Sequence, residues 1–94
     1  MKRYFDEKEF ITFLNLLEEN KQTKLFTESL EDDSVEELTF MKMEFNSWTI
    51  ILYTHPSGHV GIIQDTPVAP WEDYAESVFG DLTLDGEFKV FIEA

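Results

Sequence analysis

Cysteine is absent from this chain of 94 residues. Disulfide staples, thiolate nucleophiles and cysteine-ligated zinc or iron–sulfur centres are therefore excluded. Cations are scarce as well: 7 lysines and arginines stand against 20 aspartates and glutamates, a formal charge of −13. A surface of that sign repels nucleic acid and anionic membrane, so a partner is expected to be basic. No apolar run approaches the ~20 residues of a membrane-spanning helix. The N-terminal MKRYFDEKEF turns acidic by Asp6 and lacks the apolar stretch of a secretion signal. A cytoplasmic location is the resulting expectation.

Catalytic signatures are missing too. The four glycines are scattered and form no phosphate-cradling loop. Ser29, Ser34, Ser47, Ser57 and Ser77 lack the G-x-S-x-G setting of a hydrolase nucleophile. Among twenty carboxylates some pair falls close by chance, and acid–base chemistry also needs a cleft that so small a domain rarely encloses. His55 and His59 flank Pro56-Ser57-Gly58, but a metal needs at least a third ligand, and the nearest acid, Asp65, lies a strand away. Neither an enzyme, a metal site nor a cofactor is expected.

What the chain does contain is apolar bulk. Hydrophobic residues make up 43% of it, nine of them phenylalanine, which removes it from the disordered class and suits one domain, 1–94. The stretch Leu38–Gln64 reads as three successive strands. From Leu38 to Phe45 apolar residues alternate, with Met41, Met43 and Phe45 on one face and Lys42 and Glu44 on the other, the period of a half-buried strand. Asn46-Ser47 offers a turn. Trp48–Tyr53 is apolar on both faces and reads as the central strand. Pro56-Ser57-Gly58 breaks it, and Val60–Gln64 resumes the pattern with Gly61 leaving room for a bulge or a large neighbour.

Two helices flank this stretch. Asp6 and Glu9 have capping-box spacing, Phe5 and Phe10 match a hydrophobic staple, and Phe10, Phe13, Leu14 and Leu17 form one stripe, predicting a helix over Asp6–Asn20. Pro70 suits a helix start. Trp71, Tyr74, Ala75, Val78 and Phe79 continue it, with Gly80 as the expected stop. Lys24–Leu30 is a candidate short strand with Leu25 or Phe26 inward. Asp85-Gly86 signals a hairpin after Leu82 and Leu84, leading into Phe88–Ile92 as a final strand. The sum is an α+β domain with helices over one face of an antiparallel sheet of about four to five strands, in the order α-β(β)ββ-α-β.

Function rests on the distribution of charge. Glu28, Glu31, Asp32, Asp33, Glu36 and Glu37 form a run without a base, expected on a loop or strand edge. From Met43 onward nine acids meet one base, Lys89. A single-sign surface steers a charged partner. Nucleic-acid-binding proteins answer the phosphate charge of DNA with basic grooves, and a compact acidic fold fits such a groove. Small phage-encoded inhibitors of host DNA enzymes or CRISPR nucleases, and immunity proteins of nuclease toxins, follow this plan, a likeness of composition and size alone. The leading expectation is thus a non-enzymatic inhibitor bound to the basic site of a nucleic-acid-handling protein. The residues touching that partner would be Glu28, Glu31, Asp32, Asp33, Glu36 and Glu37, the helix acids Glu72, Asp73 and Glu76, and Asp81 and Asp85. The alternative is an interaction module or homodimer whose acidity serves solubility, with surplus large side chains such as Tyr53, Phe91 and one methionine forming the seam.

Overall fold

The capping box forms as its spacing predicts. Asp6 accepts the Glu9 backbone N–H at 2.7 Å and Glu9 accepts the Asp6 N–H at 3.2 Å, opening helix α1, Glu7–Asn15. The Phe5 ring meets Phe13 at 5.2 Å, fixing how the chain enters the helix. The computed structural model describes residues 1–94, and its remaining elements are strands β1 (Lys2–Phe5), β2 (Gln22–Ser29), β3 (Val35–Phe45), β4 (Trp48–Thr54), β5 (Val60–Gln64) and β6 (Phe88–Glu93), helix α2 (Trp71–Thr83) and a 3₁₀ turn at Leu84–Gly86. No helix is long and apolar enough to cross a membrane.

All six strands join one antiparallel sheet in the order β1-β6-β2-β3-β4-β5. That is one strand more than the largest count expected, because β1 pairs with β6 although Lys2–Phe5 is too short and too basic to read as a strand. The last strand slots between β1 and β2, so the first β-α-β unit is split by the chain's own end. Both helices lie on the same face. From α1 and the turn after it come Phe10, Leu14 and Leu17, from α2 Trp71, Ala75 and Leu82, and these bury Phe5, Leu25, Leu38, Phe40, Ile51, Ile63 and Val90 of the sheet. Phe10 packs edge-on against Phe40 at 5.9 Å and against Phe79 of α2 at 5.2 Å, joining the layers.

Several local expectations change. Helix α1 stops at Asn15, five residues short of the periodicity, because the chain must turn back to the sheet. The Lys42 ammonium donates to the Asn15 carbonyl at 3.0 Å, and the Asn20 N–H reaches the Lys42 carbonyl at 2.7 Å. Leu17 is still buried, so the stripe is sound and only its backbone differs. Helix α2 runs through Gly80 to Thr83. Asp85-Gly86 makes no hairpin. Leu84, Asp85 and Gly86 all take positive φ, swinging the chain from helix to β6, and Leu82 is a buried helix residue. Trp48–Thr54 is not central but one strand in from the β5 edge.

Two turn readings hold. Asn46 and Ser47 both have positive φ, 49° and 68°, the conformation a two-residue hairpin requires. Gly61 lies opposite Tyr53, and the Tyr53 ring occupies the space a Cβ at Gly61 would need. That ring also stacks on Phe40 at 5.5 Å, so Tyr53 faces the helices rather than solvent.

Candidate functional site

Strand register decides which side chains each surface presents, since directly paired residues share a face. Leu25 pairs Leu38, Phe40 pairs Tyr53, and Ile51 pairs Ile63, and these look toward the helices. The other face is open. It carries Thr39, Met41, Met43 and Phe45 of β3, Trp48, Ile50, Leu52 and Thr54 of β4, and Val60, Ile62 and Gln64 of β5. The alternation read from Leu38–Phe45 is therefore real but inverted. Lys42 and Glu44 look to the helix side, and the apolar Met41, Met43 and Phe45 look out, because Leu38 and Phe40 fill the core from the other parity.

Not one of these open-face positions on Thr39–Gln64 carries a charge. Phe45 is 67% exposed, Val60 61%, Ile62 57% and Trp48 43%, and Met41, Met43, Ile50 and Leu52 between them are part-exposed. They form a contiguous patch three strands wide of the kind monomers seldom leave uncovered.

The other half of the open face seals itself. Phe91 of β6 is 1% exposed although no helix covers it. Phe26 stacks on it at 5.3 Å, Tyr4 tilts against it at 5.6 Å, and the Lys2 ammonium sits 4.9 Å above its ring. Lys2 also reaches the Glu28 carboxylate at 2.8 Å, and the Tyr4 hydroxyl donates to it at 3.0 Å. These hydrogen bonds, that from Lys2 foremost, hold the Glu28 carboxyl below the usual glutamate value and the Lys2 ammonium above the usual lysine value. Lys24 pairs with Glu37 at 3.0 Å in the same layer. Over the whole open face Lys2, Lys24 and Lys89 balance Glu28, Glu37 and Glu93, so its formal charge is zero and the chain's −13 lies elsewhere.

The acids singled out from sequence thus divide. Glu28 and Glu37 are consumed in ion pairs on the open face, Glu28 being 14% exposed. Glu31, Asp32 and Asp33 form the β2–β3 turn, where hydrogen bonds from Ser34 depress the Asp32 carboxyl. The same end of the sheet holds Asp81, Asp85 and Glu87, for Leu30 donates to the Glu87 carbonyl at 3.1 Å and shares a groove with Asp85. Glu36, Asp81 and His55 line one cavity there, of about 160 Å³, below the roughly 300 Å³ at which small-molecule sites begin. Glu72 and Asp73 stand at the far end of α2, about 14 Å from Asp81 at 1.5 Å per residue, with Glu76 between them. All three are exposed on the outer side of that helix. The eleven candidates do not make one surface.

His55 and His59 stack 4.7 Å apart with both Nδ1 atoms 2.7 Å from the Ser57 hydroxyl, which closes the β4–β5 turn. No group of three or more histidine, aspartate or glutamate side chains is placed to hold a metal. Tyr53 and Phe91, expected in an exposed seam, are instead half-buried against Phe40 and covered by Tyr4. The residues the sequence reading missed are Phe45, Trp48, Ile50, Leu52, Val60 and Ile62. Their signal was present, as the absence of charge at every second position of three consecutive strands. Protein-family models, curated proteins and solved structures were each compared with the chain, and none matches.

Proposed function

We propose that this protein is a non-enzymatic protein-interaction module that works through the open face of its sheet. The observation that carries the reading is the uncharged apolar patch of β3, β4 and β5 in a chain where 29% of residues are charged. Burial of such a patch contributes at roughly 25 cal/mol per Å² of apolar surface, a driving force that needs no particular ligand chemistry. The acids then keep the remaining surface soluble.

A second reading, the acidic inhibitor of a basic nucleic-acid-handling protein, is supported by the meeting of Glu31, Asp32 and Asp33 with Asp81, Asp85 and Glu87 at one end of the sheet. One experiment separates the two. Immobilised wild-type protein, an Ile62→Glu variant and a Glu31→Lys/Asp81→Lys/Glu87→Lys variant, each checked for fold by circular dichroism, are compared for retained protein, self or foreign, at low and high salt. The interaction-module reading expects Ile62→Glu to retain nothing, the triple variant to bind as the wild type does, and salt to have little effect. Binding that disappears in salt and in the triple variant, but survives Ile62→Glu, would overturn it in favour of the acidic inhibitor.

A further inference from the structure

We infer that the occupant of the open face is a second copy of this chain, packed sheet against sheet about a two-fold axis. This rests on the interaction-module reading and adds the identity of the partner. Charge is the first argument. A face built for a basic partner would carry acids around its apolar centre, yet the open face is neutral, its three lysines balanced by Glu28, Glu37 and Glu93. A neutral, mixed-sign half beside an uncharged half is self-complementary, as an isologous contact demands.

The placement of the remaining charge is the second argument. Two chains of −13 repel unless their acids stay apart. Facing sheets pack about 10 Å apart, and each helix layer adds roughly another 10 Å. The acids of one helix layer then lie on the order of 20 Å or more from those of the other, beyond a Debye length of about 8 Å at physiological salt. Sheet-to-sheet packing is the arrangement that keeps the two acidic layers farthest apart, one on each outer side.

Size is the third. By register the open face offers about twenty outward side chains, comparable with the roughly 20–30 residues a side of a stable interface. The result is four layers, helices outside and two sheets inside, with Ile50 and Leu52 of β4 at the centre of the uncharged half and closest to the axis.

The test uses Ile50, which is part-exposed and outside the helix-side core. Sedimentation of the wild type over a range of concentrations is expected to give twice the chain mass, with little change between low and high salt. Ile50→Glu and Ile50→Lys, each confirmed folded by circular dichroism, are expected to run as monomers, their self-association weakened at least roughly a hundredfold by a buried unpaired charge. Mixing the two variants is expected to restore a dimer, since near the axis Glu meets Lys, and a merely misfolded pair would not recover. A wild type that stays monomeric, or a dimer that survives both substitutions, overturns the inference. Should the wild type be monomeric while Ile62→Glu still abolishes capture of a foreign protein, the second copy is excluded and the interaction-module reading stands.

Discussion

Glu28 shows how a single residue read as part of an acidic surface can have a different task. Its carboxylate accepts from Lys2 and Tyr4, which holds a short terminal strand against the sheet and roofs Phe91. Because its folded-state value lies below the ordinary 4.5, its contribution is present above that value and fades as pH falls through the folded one. Lys2, raised above 10.5, has the opposite sense, keeping its contribution until pH rises through its own folded value. The pair is therefore intact between these limits. Urea denaturation of wild type and Glu28→Gln is expected to show the wild type more stable at neutral pH, with the curves converging in acid. A gap independent of pH would exclude the ion pair as its cause. The sequence showed an acid in a run of acids, and nothing local to it pointed to Lys2, 26 residues away.

At the scale of elements, helix α2 illustrates how much a start signal depends on distant partners. Pro70 reads from the sequence as the first position of the helix, whereas it stands one residue before it and provides no side-chain cap. The cap comes from Asp65, whose carboxylate accepts the Trp71 N–H at 2.8 Å and the Thr49 N–H at 2.8 Å. One side chain thus ties the α2 N-terminus to the start of β4 and places a negative charge at the positive end of the helix dipole. Asp65→Ala is expected to cost about 2 kcal/mol, since it removes a helix cap and leaves two backbone donors unpaired. Thermal denaturation of the variant checks this, and a loss under about 0.5 kcal/mol would mean that water replaces the carboxylate. Helix ends were the least legible feature. The Gly80 stop gave way because α2 gains by burying Leu82, and α1 ends early because Lys42 of β3 draws its last carbonyl.

The whole molecule is elongated, 43 × 25 × 25 Å, with its net charge confined to the helix side and one end. Like charges crowded on one layer repel, so added salt is expected to stabilise the fold. The melting temperature should rise between about 10 mM and 0.3 M sodium chloride, over which the Debye length falls well below 30 Å. A melting temperature that falls with salt would mean that the surface pairs Lys2–Glu28 and Lys24–Glu37 outweigh the repulsion.

Local and periodic information determined most of the elements of this protein. The capping box at Asp6, the Asn46-Ser47 turn, the room at Gly61 and the alternation in Phe88–Ile92 are each set by residues within a few positions of one another, and each is found. Tertiary structure alone decided which face of the alternation is buried. Leu38 and Phe40 against Met41, Met43 and Phe45 are two apolar sets of opposite parity on one strand, and periodicity cannot rank them. The contest is settled where Phe10 and Phe79 arrive over Phe40 and where Leu25 pairs Leu38, contacts that exist only once both helices have chosen a side. The same choice leaves the uncharged half of the sheet outside and most of the acids off the open face, because a side chain's distance from the core is a property of the assembled layers and not of its neighbours in the chain.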